Sequence, residues 1–378
     1  MTVTAPLPNR GAISRAAAAL GRLPSGTLAL GCRYLSSVAG RVEEMTDCPL
    51  DATPATVEAH LVRPLLLVDD WPDPTDPLPV GDGAVHADLI DDDREALARL
   101  RATFEWATDP ERLAAEAQAW RLPVTPYRPL PSGSASPRSA PPRARSATDQ
   151  RFVAPPAARP TAERRPLADR LVVDLSALWA APLTTSLLTG LGTRVIKIDP
   201  DCRPDGFRDH PALYDHLNGA KEIVDLDLRS DDGRRAFESL VAGADLVVDS
   251  FSRRVMPNLG YDQKGLRKLN PSLSTLSIVA FPAGTPEADW VSYGPGVHAT
   301  SGLGAEPGGD SEGSIRYRPA PIAYPDALAG LAALAVAVEL LSSARPLPHR
   351  EVSLLGAIGP LVDAKRGERA SSGDRGHR

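Results

Sequence analysis

From residue 167 to residue 363, short apolar runs alternate with segments of helical period. Leu171-Val172-Val173-Asp174-Leu175 reads as a buried parallel strand. Pro182 follows at a helix start, with Leu183, Leu187, Leu188 and Leu191 on one face, and Gly190 and Gly192 close that helix. Arg194–Ile198 is the next strand. A helix over Asp231–Ala242, a strand over 245–248, a helix over Gln263–Leu269 and a strand over 273–279 continue the alternation. One long buried helix, 327–341, precedes a strand-like run at 351–355, and residues 364–378 read as a polar tail. This order predicts an α/β fold: a doubly wound parallel Rossmann-like sheet with right-handed crossovers. Ligands bind such sheets beyond the carboxyl ends of the strands, so the loops after Leu175, Ile198 and Val248 are the expected site.

Upstream the pattern is weaker. A short amphipathic helix is expected around Ile13–Leu20, and a helical stretch from Asp91 to Ala119 carries Leu97, Leu100, Phe104 and Trp106, then Leu113, Ala117 and Trp120. Residues 129–166 are dense in Pro, Ser, Ala and Arg and read as a linker, which separates residues 1–128 from an α/β domain at 167–363.

Composition narrows the function classes. The 378 residues suffice for two domains, and a net charge of -6 is mild. There is no basic stripe for nucleic acid, and no segment is expected to approach the roughly 20 apolar residues needed to span a bilayer. Cys32, Cys48 and Cys202 are too few and scattered for a disulfide framework or metal site, which fits a reducing cytoplasm and no metal. The first 42 residues lack Asp and Glu, as transit peptides do, but the amphipathic-helix reading is preferred.

Taken in order, several segments resemble the class III (formyl-CoA:oxalate type) coenzyme A transferases. Val173-Asp174-Leu175-Ser176 with Ala181-Pro182 resembles the opening strand and turn, and Gly192–Asp199 resembles "GADVIKVE". The segment 217–228 resembles "NRGKRSVALDL", and 245–261 resembles "DVLVENFRPGVLERLGL". Leu269-Asn270-Pro271 and Glu351-Val352-Ser353-Leu354-Leu355 match two later pieces. The resemblance implies a Rossmann-like large domain with a smaller one, an acyl-CoA as substrate with no tightly bound cofactor, and a carboxylic acid as acceptor. It also implies a homodimer, or a heteromer with a related subunit. Carried over, the CoA-facing positions are Trp179, Ala180, Leu226, Arg229, Ser250, Phe251 and Ser252. For each, an ordinary loop or core role stays open. Arg229 offers a planar charged fork to a phosphate and Phe251 a face to the adenine. Ser250 and Ser252 depart from the family's Asn and Arg, Asn258 and Pro200 stand at further departures, and Arg253 and Arg254 are either substitutes or a solvated pair.

The family's nucleophile is an aspartate that attacks the thioester carbonyl and then carries CoA as an acyl thioester, splitting one hard transfer into two. Anchoring on Ser301-Gly302-Leu303 puts that position on Gly294, which has no side chain. The neighbouring candidates are Asp289 and His298. His298 is either an acid–base group or a keeper of hydrogen bonds, and the second reading is preferred. Three functions remain: a transferase subunit that needs a catalytically complete partner, an acyl-CoA isomerase or racemase, and a non-catalytic acyl-CoA-binding subunit. On this reading Gly294→Asp is expected to raise transfer. Finally, 108–113 and 120–126 resemble the family's late segment, which implies a permuted order or a degenerate tandem fusion, with the family's back half at about 80–128.

Overall fold

The computed structural model describes residues 10–46, 50–68, 74–89, 91–103, 108–130, 165–308, 314–343, 346–347 and 349–373. Three helices open it: α1 (Arg10–Leu20), α2 (Thr27–Met45) and α3 (Pro54–Leu67). Along α2, Leu30, Tyr34, Leu35, Val38 and Val42 are buried at helical spacing. The Thr53 hydroxyl accepts from the Thr56 N–H at the start of α3, with Pro54 in its first turn.

A small antiparallel sheet follows, with β1 (Leu78–Val80), β2 (Gly83–Ala87) and β3 (Val124–Pro126) in that order. Helices α4 (Asp91–Thr103) and α5 (Pro110–Ala119) contribute Leu97, Leu100, Leu113 and Ala117 to its core. The helical stretch expected over Asp91–Ala119 is therefore two helices. Asp109 restarts the second by accepting from the N–H groups of Glu111 and Arg112. Phe104 and Trp106 lie outside the described residues, as do residues 131–164 of the expected linker.

The larger unit runs β4 (Leu171–Asp174), α6 (Ala180–Gly190), β5 (Arg194–Ile198), α7 (Pro211–Asn218), β6 (Glu222–Val224), α8 (Asp231–Gly243) and β7 (Leu246–Asp249). It continues with α9 (Val255–Asn258), α10 (Gln263–Leu269), β8 (Ser274–Val279), α11 (Gly294–Ser301), β9 (Ala305–Pro307) and β10 (Ile315–Tyr317). The last elements are α12 (Tyr324–Ser342), β11 (Arg350–Ser353) and α13 (Leu354–Gly373). Six strands pair in parallel in the order β11-β8-β7-β4-β5-β6. The chain winds outward from β4 to β6, returns to β7 beside β4, and winds the other way. That is the Rossmann order, and its switch point lies between β4 and β7.

Successive residues of a strand face opposite sides, and the cores follow that rule. Val172, Leu246, Val248 and Leu276 join the core of α2, α6, α12 and α13, while Val173 and Val247 face Phe237, Val241 and Leu266 of α8 and α10. Helix α12 has a mean hydropathy of 1.6 over an 18-residue window and is long and apolar enough to cross a membrane, but 89% of that window is buried inside the fold. It is the core helix.

Two expectations at the end of the chain are corrected. The strand closes at Ser353, and Leu354 and Leu355 begin α13. The polar tail expected from 364 is helical to Gly373, because Lys365 donates to the Leu303 carbonyl (2.7 Å) and Arg369 to the Ala305 carbonyl (2.8 Å). Residues 374–378 lie outside the described residues.

Residues 108–130 dock on the segment preceding α11. Gln118 donates to the Val291 carbonyl (2.8 Å) and accepts from the Val291 N–H (2.7 Å). Arg128 pairs with the buried Glu287 at 2.7 Å, and the Arg128 N–H reaches the Ala299 carbonyl. A chain cut once between residues 131 and 164 is therefore expected to elute as one particle in size-exclusion chromatography under native conditions. Two separately eluting fragments would show that residues 1–130 are an independent domain.

Candidate functional site

A cleft of about 620 Å³ opens at the carboxyl ends of the strands, within the roughly 300–1,000 Å³ range of small-molecule sites. Trp179, Ala180, Leu226, Arg229, Ser250, Phe251 and Ser252 all line it. The loops after β4 and β7 meet across the switch point, where the Ala177 N–H donates to Ser250 Oγ at 3.1 Å. Leu178 in the first loop holds φ 67°, a conformation that non-glycine residues seldom adopt. Its N–H donates to Asp205 Oδ1 at 3.1 Å, which fixes it there.

Beneath these loops lies a buried charge network. Asp174 ends β4 with no exposure and takes Lys221 Nζ at 3.0 Å, the Ser176 N–H at 2.8 Å and Thr185 Oγ1 at 2.6 Å. Burial pushes the Asp174 carboxyl up, but Lys221, Lys197 and the hydroxyls of Ser176 and Thr185 outweigh it and hold the group at about 2. Lys197, also fully buried, pairs with Asp205 at 3.1 Å and donates to the Ser176 carbonyl. The Asp205 N–H in turn donates to Asp199 Oδ1 at 2.9 Å, and Asp199 binds Arg208 at 2.8 Å and the Tyr214 hydroxyl. The floor of the cleft is thus rigid and electrically closed.

The polar groups on its walls differ in availability. Arg229 is 67% exposed and pairs with Asp227 at 3.0 Å in a solvent-screened surface contact, so its fork can exchange onto an incoming phosphate. Arg203, which sequence reasoning did not single out, is exposed and stands 5.9 Å from the centroid of the Phe251 ring. Arg253 is not a solvated surface residue. It lines the cleft, forks onto Glu351 at 2.6 and 2.8 Å, and donates to the Phe281 carbonyl at 2.7 Å. Asp249 beneath Phe251 accepts from Ser277 Oγ at 2.6 Å and from the Phe251 N–H at 3.1 Å, and burial raises it to about 6.

Gly294 begins α11 beside the cleft, with Tyr293 lining it. Asp289 and His298 do not line the cleft. Asp289 is exposed, and its backbone carbonyl accepts from Arg121. His298 is buried, with Nδ1 2.8 Å from the Tyr324 hydroxyl and Nε2 3.3 Å from the Arg318 carbonyl. Donation from Nε2–H to the carbonyl leaves Nδ1 to accept from the phenol. Burial drives its pKa to about 3, so the ring is neutral and holds hydrogen bonds.

Sequence reasoning missed Asp326. It sits in the first turn of α12, lines the cleft, and accepts from the Gly294 N–H. A lone acid in the first turn of a largely apolar helix was the available signal, and it reads as an ordinary helix-start charge. Burial, with Asp88 adding to it, raises the Asp326 carboxyl to about 7.

With the fold and cleft established, comparison with known proteins decides the relationship. The model of CoA-transferase family III matches residues 167–348. This part of the chain is similar to CoA-transferase family III. An acetyl-CoA:oxalate CoA-transferase of Acetobacter aceti is 32% identical over 151 residues, covering 38% of this chain and 39% of that protein. A succinate–glutarate CoA-transferase of Agrobacterium fabrum is 31% identical over 152 residues, covering 36% and 38%. The chain thus spans about two fifths of the length of these curated relatives. Among solved structures, a CaiB/BaiF family protein from Brucella suis is 23% identical, with a TM-score of 0.46 over 56% of this chain and 59% of that one.

Proposed function

We propose that the chain binds an acyl-CoA in the switch-point cleft and takes part in moving CoA between carboxylic acids. The observation that carries this reading is that seven positions, spread over residues 179–252 and chosen from sequence, line one cavity. The 31–32% identity to enzymes named for that transfer supports it. The adenine would lie against Phe251 and the phosphates near Arg229 and Arg203. Assembly with a second copy, or with a related and catalytically complete subunit, belongs to the same proposal and is read by native mass spectrometry. So does the permuted arrangement, in which residues 1–128 supply the family's back half.

A ligand that binds only the folded state stabilises it by mass action, about 2.7 kcal/mol at a hundredfold excess over Kd. Millimolar CoA is therefore expected to raise the Tm of the full chain. Phe251→Ala should weaken CoA by roughly tenfold, the scale of one lost aromatic contact. A well-folded sample with no shift in Tm would refute the reading.

A second reading, an isomerase that moves a proton beside the thioester carbonyl, has one observation in its favour. Asp326 lines the same cleft and titrates near neutral pH. Solvent deuterium incorporation into the acyl group separates it from transfer.

A further inference from the structure

Arg121 stands in a turn that favours glycine. At the end of α5 the Arg121 N–H bonds to the Gln118 carbonyl at 3.0 Å, and the Leu122 N–H bonds to the Ala117 carbonyl at 3.0 Å. This paired bonding closes a helix through one left-handed residue, a place usually taken by glycine because it has no Cβ to clash. Here that residue is Arg121, at φ 64°. A left-handed arginine costs energy that glycine would not, so its presence at the lip of a cleft points to a use for the guanidinium.

The turn is anchored where that use can be made. Gln118 bonds to both the carbonyl and the N–H of Val291, which lines the cleft. Arg121 also lines the cleft and donates to the Asp289 carbonyl at 3.0 Å, while Arg253 takes the neighbouring Ala288 carbonyl. Two consecutive carbonyls of one wall therefore bring the end of α5 against the loop after β7, which carries Phe251.

The charges there are not balanced. Arg253 is neutralised by Glu351 at 2.6 Å. Arg254, the next residue of the loop, is exposed and has no ion pair among the described residues. Its charge opposes that of Arg121, which partial burial also disfavours, and the pull of Asp289 is the weakest of these influences. Two like charges held together at a cleft, without a counter-ion between them, draw an anion.

We propose that Arg121 and Arg254 form the subsite for the adenosine 3′-phosphate of CoA, so that the cleft selects CoA over dephospho-CoA; this rests on the CoA-binding reading above. The 3′-phosphate is a monoester, set apart on the ribose from the pyrophosphate. A monoester carries a charge of about −1.5 to −2 at pH 7, which suits two guanidinium groups better than a carboxylate does. Their planar forks match its oxygens. Position agrees with charge. With the adenine on Phe251, the ribose lies beside the loop that carries Arg254, Arg229 and Arg203 are left to the pyrophosphate, and the thioester end runs on along the same wall towards Gly294. The similarity to known transferases begins at residue 167, so Arg121 brings the site a group from outside the matched segment. The docking of residues 108–130 then serves binding as well as stability.

The test titrates the full chain with CoA and with dephospho-CoA by isothermal calorimetry at one salt concentration. The parent should bind CoA roughly tenfold or more tighter than dephospho-CoA, the scale of one hydrogen bond to a charged group. Arg121→Gly should weaken CoA roughly tenfold and leave dephospho-CoA as it was, which abolishes the preference, and Arg254→Ala should do the same. Arg121→Gly should melt no lower than the parent, because glycine takes the left-handed turn without strain. Arg121→Lys keeps the charge without the fork and should fall between parent and Arg121→Gly. Equal affinity of the parent for the two ligands, or an equal loss of both in Arg121→Gly, would overturn the assignment and leave the CoA site standing. A loss confined to succinyl-CoA, with CoA itself unaffected, would overturn it in favour of an acyl carboxylate at Arg121. Binding of neither CoA nor dephospho-CoA by the parent would instead remove the reading on which it rests.

Discussion

Asp174→Ala is expected to cost about 3–5 kcal/mol of folding stability, because it leaves buried positive charge uncompensated. Lys197 and Lys221 have fully buried side chains, and Lys221 Nζ lies 3.0 Å from Asp174 Oδ2. Asn218 and the Pro182 carbonyl also accept from Lys221, at 2.9 and 3.1 Å, but neither carries charge. Urea unfolding of the variant reads the loss. The acid limb of the parent's stability curve supplies a second measurement. The carboxyl is held at about 2 in the fold against 3.8 for the free group. Between those values the unfolded chain binds more protons, so stability rises with pH there. The contribution, about 2 kcal/mol at 1.36 kcal/mol per unit, is complete above about pH 4 and is lost as pH falls towards 2. Asp174→Ala should flatten this limb. Because Lys197 also anchors Asp205, which holds the Leu178 N–H, the variant should bind CoA more weakly as well. A loss below about 1 kcal/mol would mean that the lysines find water or other partners, contrary to the closed network described here.

What the sequence revealed follows from where burial is local. Arg194–Ile198 was legible to the residue because a central strand, covered on both faces, must be a short apolar run between polar ends. Helix α8 was legible because one face alone is buried. The seven cleft positions came from the family resemblance, and topology accounts for their meeting, since loops at the carboxyl ends of neighbouring parallel strands converge whatever their side chains are. Other elements carried no local signal. Strand β6 is at the sheet edge, with Glu222 and Ile223 exposed, and entered only as part of a family-like segment. Helices α2 and α3 went unread although α2 packs against α12. The last turns of α13 depend on Lys365 and Arg369 reaching carbonyls of residues 303 and 305. Asp326 was hidden for the same reason: its meeting with Gly294 spans 32 positions and arises because two helix starts, those of α11 and α12, abut in space.

That meeting changes what Gly294→Asp should do. From sequence, restoring the family's aspartate should raise transfer. In the fold, the new Cβ lies 2.0 Å from Asp326 Oδ2, with Ala323 Cβ at 3.2 Å, so the Asp326 carboxylate must swing aside. Overpacking of this kind costs about 1–3 kcal/mol. A second carboxyl in the same enclosed space adds like-charge repulsion and pushes at least one of the pair above the value of about 7 that Asp326 already has. Between 3.8 and the raised value the folded state binds more protons than the unfolded one. Stability then falls as pH rises, and the penalty of Gly294→Asp should be larger at pH 8 than at pH 5. Removing the obstruction reverses this. Gly294→Asp combined with Asp326→Ala should melt near the parent at both pH values, and only this double variant has room for a carboxylate on the α11 side of the cleft. If the single variant melts like the parent at pH 8, Asp326 does not occupy that space, and the complementarity of the two positions is wrong.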